Sequence, residues 1–152
     1  MTRDRRLRVL AVSSGGGHWV QLCRCLAAFE GCEVTCVTVR RAYASDVTFP
    51  LHVVRDATRW SPFGVGLLGL QMLWILLRER PGIVFTTGAA PGLVALVLGR
   101  LVGARTIWLD SVANAEEVSM SGRLARRWAD LWLTQWPALA GPDGPEYAGA
   151  VF

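Results

Sequence analysis

Short apolar runs alternate with longer helix-forming stretches along this chain. Residues 7–13 (LRVLAVS) are apolar, rich in β-branched side chains and end at glycines, the pattern of a strand buried on both faces of a parallel sheet. Gly15, Gly16 and Gly17 then open a helical stretch to about Phe29, with Val20, Leu22, Leu26 and Phe29 as its apolar positions and Gly31 closing it. Further strands are expected over 33–39, 51–54, 83–87, 105–109 and 131–134, with a last one starting at Val151 and Phe152. Helices are expected over 60–77, over 91–102, and from an N-cap at Ser119 or Ser121 to about Ala129. This alternation predicts an α/β fold, a doubly wound parallel sheet of Rossmann-like type. The 152 residues suit one domain, 1–152.

In such sheets ligands sit beyond the carboxyl ends of the strands. Three loops leave those ends with unusual chemistry. The first is Ser14-Gly15-Gly16-Gly17-His18, where glycines admit close approach and a helix N-terminus offers N–H groups to an anion. It matches neither the dinucleotide pattern nor the P-loop, so a phosphate or diphosphate site is expected, against the alternative of a glycine-rich tight turn. His18 is a candidate catalytic or ligand-contacting residue, or else a structural cap. The second loop, Thr87-Gly88-Ala89-Ala90-Pro91-Gly92, sets small residues and a proline at a helix start, so Thr87, Gly88, Pro91 and Gly92 are candidate anion contacts or ordinary helix initiation. The third carries Asp110, Ser111 and Asn114, where the carboxylate can bind sugar hydroxyls, act as acid or base, or cap the following segment.

Residues 60–77 read WSPFGVGLLGLQMLWILL without a charge. That length is at the lower limit for crossing a bilayer, Pro62, Gly64, Gly66 and Gly69 weaken its start, and a crossing would place strands of one sheet on opposite sides of the membrane. A core helix or a helix lying on the membrane surface remains. Between Phe63 and Leu77 only Gln71 is clearly polar, so surface contact through Phe63, Leu67, Leu68, Leu70 and Trp74, flanked by Arg59, Arg78 and Arg80, is the expectation.

Composition agrees with a surface kept for lipid or a partner: 52% of residues are hydrophobic and 18% charged, with a net charge of +4. All the basic residues are arginines, clustered at Arg3, Arg5, Arg6 and Arg8, at Arg40 and Arg41, at Arg78 and Arg80, and at Arg123, Arg126 and Arg127. No recognition-helix pattern, RNP box or zinc spacing accompanies them, which argues against nucleic acid. Cys23, Cys25, Cys32 and Cys36 lie close in sequence but form no C-x-x-C pair, and Cys23 and Cys25 point to different sides of a helix, so reduced packed thiols and no metal are expected. The apolar run after the N-terminal arginines is too short for a signal h-region with a cleavage site, so the chain is expected to stay in the cytoplasm.

Taken in order, Gly16-Gly17-His18, Thr87-Gly88-x-x-Pro91-Gly92, D-S-x-A-x-x-x-x-x-S-x-S-G-R from Asp110 to Arg123, A-D-L-W-L-T-Q-W-P from Ala129 to Pro137, and Tyr147-x-Gly149 resemble the asparagine-linked glycosylation protein fourteen family and its bacterial polysaccharide-biosynthesis relatives. The resemblance implies the N-terminal half of a GT-B glycosyltransferase split into two polypeptides. This half would bind a polyprenyl-diphosphate-linked sugar acceptor at the cytoplasmic face of the plasma membrane. A separate donor-binding subunit would hold a UDP-sugar, with N-acetylglucosamine, glucuronate and galactose left open, for exopolysaccharide, capsule or lipid-linked oligosaccharide synthesis. His18 and Asp110 would be the candidate bases, and no cofactor is implied. Eukaryotic members carry an N-terminal membrane anchor, a role that falls here to 60–77. Two other readings stand beside it: a scaffold that recruits a complete glycosyltransferase, and a stand-alone nucleotide binder. The second needs an acidic residue after the second strand, where this chain has Val39-Arg40-Arg41.

Overall fold

The structure, a computed structural model, describes residues 5–58 and 61–151. Expectations resting on Arg3, Arg59, Trp60 and Phe152 lie outside those residues. The strands are Arg8–Val12 (β1), Glu33–Thr38 (β2), Leu51–Val53 (β3), Ile83–Thr86 (β4), Arg105–Leu109 (β5), Leu131–Thr134 (β6) and Glu146–Tyr147 (β7). The helices are Gly17–Cys25 (α1), Pro62–Glu79 (α2), Ala89–Leu101 (α3) and Met120–Ala125 (α4). All seven strands join one parallel sheet in the order β3-β2-β1-β4-β5-β6-β7. The chain moves outward from β1 through β2 to β3, then returns to β4 on the other side of β1. That reversal opens a crevice at the carboxyl ends of β1 and β4.

Alternation along each strand divides the core between two faces. Leu10, Val12, Val37 and Val84 meet Leu68, Met72, Ile75 and Leu76 of α2 and Ala95 of α3. Val9, Ala11, Val34, Cys36 and Phe85 meet Trp19 and Leu22 of α1 and the following Leu26. A smaller cluster of Leu96, Trp108 and Ala125 seats α4 against α3 and β5.

The structure corrects several boundaries. The α1 helix tightens into a 3-10 turn over Leu26–Phe29, and its buried positions are Trp19, Gln21 and Leu22, while Val20 faces outward at 48% exposure. Helix α3 begins at Ala89 rather than Pro91. Helix α4 ends at Ala125, short of Ala129. The Asp130 carboxylate takes the Thr106 N–H at 2.9 Å and Arg100 at 2.8 Å, drawing the chain out of the helix and into β6. The last strand is Glu146–Tyr147, and Val151 is in none; its N–H donates instead to Gln135 Oε1 at 2.9 Å. Helix α2 starts where Ser61 accepts the Gly64 N–H at 3.3 Å, and stops at Arg80, whose left-handed φ of 48° ends the helical run.

Candidate functional site at the carboxyl edge of the sheet

Gly16 is the N-cap of α1 and adopts φ 65°, ψ −134°, a conformation that excludes side chains larger than glycine's hydrogen without strain. Its carbonyl accepts the N–H groups of Trp19 (3.1 Å) and Val20 (3.2 Å). The N–H groups of Gly17 and His18 have no hydrogen-bond partner among the described residues, so the first turn presents free donors. Ser14 is half-buried, and its carbonyl is fixed by the hydroxyls of Ser13 (2.9 Å) and Thr38 (3.3 Å).

The loops after β1 and β4 lock together. His18 Nδ1 lies 2.9 Å from the carbonyl of Thr87, and Thr87 Oγ1 donates to the carbonyl of His18 at 2.7 Å. A carbonyl only accepts, so Nδ1 carries a proton and Nε2 is left as the ring's free nitrogen. Gly88, at φ 123°, lets the imidazole lie flush against the backbone: a Cβ there would sit 3.1 Å from the ring. Ala89 adds a left-handed φ of 65°, at a cost of roughly 1–2 kcal/mol for a residue with a Cβ. Pro91 and Gly92 lie in the first turn of α3. Both are buried, and a Cβ on Gly92 would come within 2.1 Å of Thr86 Oγ1, so this glycine serves close packing of α3 on β4.

Asp110 is 2% exposed, and its carboxylate is filled. Oδ1 accepts Ser119 Oγ (2.6 Å) and Trp108 Nε1 (3.1 Å); Oδ2 accepts the Ser119 N–H (2.9 Å) and Asn114 Nδ2 (3.3 Å). Ser119 in turn caps α4 by accepting the Gly122 N–H at 2.9 Å, and a Cβ on Gly122 would lie 2.6 Å from Asp110 Oδ1. The S-x-S-G motif is therefore the mould around this carboxylate. Asp110 makes no hydrogen bond to His18; the Trp108 indole stands between Asp110 and the Gly88 turn. Its surroundings make Asp110 the anchor of the loop, in keeping with the capping alternative among the three read from sequence.

Ser111 is likewise buried, accepting Gln21 Nε2 (3.1 Å) and the Ala113 N–H (3.2 Å). Gln21 Oε1 accepts the Val112 N–H (3.1 Å) and Gln135 Nε2, which also donates to the Asp110 carbonyl at 3.0 Å. Trp136 Nε1 closes the loop onto the Val112 carbonyl at 2.7 Å. The Q-W-P motif is a clamp on the third loop. Sequence reasoning missed Gln21, whose signal was a polar residue between Trp19 and Leu22 on the buried side of α1. It also missed Tyr43, which borders the glycine loop together with Arg40 of the basic pair.

Helix α2 is divided lengthwise. Phe63 (77% exposed), Leu70, Trp74 (56%) and Leu77 form an outward apolar stripe, with Arg78 5.2 Å over the Trp74 ring. Leu67 is half-buried. Leu68 is the correction: at 0% exposure it belongs to the core beside Met72, because it sits on the face turned to the sheet. Among the described residues no helix is long and apolar enough to cross a membrane, and no group of three or more His, Cys, Asp or Glu is placed to hold a metal ion. All four cysteines are free; burial pushes the Cys25 thiol up to about 11 and Cys36 to about 12.

The all-parallel sheet, with a glycine turn after β1 and loops at its carboxyl edge, has a Rossmann-like fold that is shared with one half of GT-B chains. The crystal structure of Acinetobacter baumannii MurG matches with a TM-score of 0.79 at 13% identity, over 93% of this chain and 45% of that one. UDP-N-acetylglucosamine 2-epimerase from Rickettsia bellii matches with a TM-score of 0.68 at 14% identity, over 88% of this chain and 40% of that one. In sequence, the chain is similar to the UDP-N-acetylglucosamine transferase subunit ALG14 of two organisms. The Mus musculus protein is 22% identical over 91% of this chain and 80% of its own length. The Eremothecium gossypii protein is 34% identical over 70 residues, 42% of this chain and 31% of its own length. No family model matches. The resemblance to the asparagine-linked glycosylation protein fourteen family, read from ordered motifs, thus holds in the sequence comparisons.

Proposed function

We propose that this chain is the acceptor-binding subunit of a two-chain glycosyltransferase that acts at a membrane surface on a polyprenyl-diphosphate-linked sugar. The observation that carries this reading is the arrangement of His18: a ring nitrogen left free by the Thr87 lock, on the same turn as the free N–H groups of Gly17 and His18. The N–H groups and the positive end of α1 suit the acceptor's diphosphate. In the proposed step the acceptor hydroxyl attacks the anomeric carbon of the UDP-sugar, its proton passes to His18 Nε2, and UDP leaves with the bonding electron pair. Asp110, Ser111 and Asn114 hold the third loop as one wall of the acceptor cleft. The ALG14 relatives are named as UDP-N-acetylglucosamine transferase subunits, which favours that donor. A separate chain supplies the donor wall in this reading, which the name of the ALG14 relatives, transferase subunits, favours.

The outward stripe of α2 is proposed to lie on anionic lipid at the cytoplasmic face of the membrane, with Trp74 and Arg78 at headgroup level. The test is reconstitution with a donor-binding chain on vesicles carrying a prenyl-diphosphate-linked sugar. The complex transfers sugar and neither chain does alone. Turnover of a UDP-sugar by this chain in isolation would overturn the two-chain reading.

A further inference from the structure

We infer that Arg40 and Tyr43, on the turn after β2, complete a diphosphate clamp over the glycine loop and set the preference for a diphosphate over a monophosphate. The inference rests on the acceptor reading above and assigns it two residues outside the three expected loops. Arg40 stands two residues past β2 in extended conformation, and a 3-10 turn follows over Arg41–Ser45. A Cβ built on Gly15 would lie 3.2 Å from Tyr43 Oη and 3.5 Å from Arg40 Nε, so both side chains reach the loop that faces the crevice.

Their placement is fixed by α1. The Tyr43 ring stacks on Trp19 with centroids 4.9 Å apart and planes 13° from parallel, and Trp19 Nε1 donates to Asp46 Oδ2 at 2.8 Å. Tyr43 Oη accepts the Gly16 N–H at 2.9 Å, which leaves the phenol's own proton to donate outward. Arg40 forms no ion pair among the described residues, and the carboxylate carried by the same turn, Asp46, is held by Trp19.

The donors these segments carry are the Arg40 guanidinium, the Tyr43 hydroxyl, and the Gly17 and His18 N–H groups. Two backbone N–H groups at a helix terminus suit one phosphate. A guanidinium, whose planar fork pairs with phosphate oxygens, supplies the charge a second phosphate needs.

The experiment measures binding of farnesyl diphosphate, farnesyl monophosphate and farnesol to the full chain in neutral detergent micelles by calorimetry. Wild type is expected to prefer the diphosphate. Arg40→Ala should lose about 10-fold or more of diphosphate affinity, the usual scale for a charged hydrogen bond, with monophosphate binding little changed. Arg40→Lys should recover part of the preference. Tyr43→Phe, which keeps the Trp19 stack, should lose about 3- to 10-fold, the scale of a neutral bond. A purely structural role would lower binding of all three probes together and lower the melting temperature, and that result overturns the inference. So does an Arg40→Ala protein that keeps the wild-type diphosphate-to-monophosphate ratio, while the acceptor reading stands. If wild type binds neither phosphate, the acceptor reading falls and the clamp falls with it.

Discussion

His18 and Thr87 hold each other through two hydrogen bonds: imidazole Nδ1 to the Thr87 carbonyl at 2.9 Å, and Thr87 Oγ1 to the His18 carbonyl at 2.7 Å. They lie 69 positions apart, His18 in the first turn of α1 and Thr87 just ahead of α3. The reciprocal bond fixes where the ring lies and which of its nitrogens is engaged. Under the proposed mechanism His18→Ala in the reconstituted complex lowers kcat by about 10²–10⁴-fold, the usual loss for a general base. Thr87→Val keeps the carbonyl and removes the return bond, with a loss of about 5-fold, the equivalent of roughly 1 kcal/mol. Steady-state kinetics on both variants check this; a His18→Ala complex with wild-type kcat removes His18 from the chemistry.

Asp110 separates from His18 in the kind of effect its loss produces. Asparagine has one acceptor oxygen where the carboxylate has two, and its NH₂ group would face donors already aimed inward. At about 1–3 kcal/mol for an unsatisfied buried group, and about 2–4 °C per kcal/mol in a domain of this size, Asp110→Asn should melt several degrees below wild type. Gly122→Ala should do the same, since its Cβ would meet the same carboxylate oxygen at 2.6 Å. A thermal melt decides it: an Asp110→Asn protein as stable as wild type but inactive would return Asp110 to the chemistry.

The sheet was legible because apolar runs ending at glycines or turns leave few other options. Residues 7–13 and 105–109 could not be amphipathic helices, and the alternation with helical stretches implied parallel strands. Site loops were legible as locations, since position in the fold follows from strand order. Roles within them were not. Asp110 reads the same in sequence whether it faces solvent or four donors, and only the return of Ser119 and Asn114 onto it distinguishes the two. Gly92 reads as a ligand-cradling glycine until Thr86 is placed beneath it. Arg40 reads in sequence as one of a basic pair and as an argument against a ribose site, because its approach to Gly15 depends on the β1–β2 pairing and on the Tyr43–Trp19 stack.

Acid should loosen the β5–β6 edge through Asp130. The Thr106 backbone N–H, then the Thr106 hydroxyl and Arg100, hold the folded carboxyl below its ordinary value of 3.8, against a smaller opposing effect of burial. A carboxylate depressed by folding contributes stability that is fully present above the ordinary value and is lost as pH falls through the lower folded value. Melting temperature should therefore drop below about pH 4, and Asp130→Asn should flatten that acid limb while costing stability at neutral pH. An unchanged acid limb in the variant would assign it to other carboxylates.

The two faces of α2 give the last test. Leu68 and Leu70 are both leucines two residues apart, yet one is in the core and the other 66% exposed beside Trp74 at 56%. Leu68→Ala leaves a cavity against Met72 and Leu10, a change that costs about 2–5 kcal/mol in a packed core, and Leu68→Glu should not fold. Leu70→Glu with Trp74→Glu changes the outward stripe and gives up only the edge contact of Trp74 with His52 and its contact with Arg78, so the melting temperature should stay near wild type. On the proposed membrane contact the same pair should leave vesicles containing anionic phospholipid, read by flotation. Raised salt should release wild type only in part, because salt screens the arginines and not the apolar contact. Retention of the folded Leu70→Glu, Trp74→Glu protein on vesicles at wild-type levels would move the membrane surface away from α2.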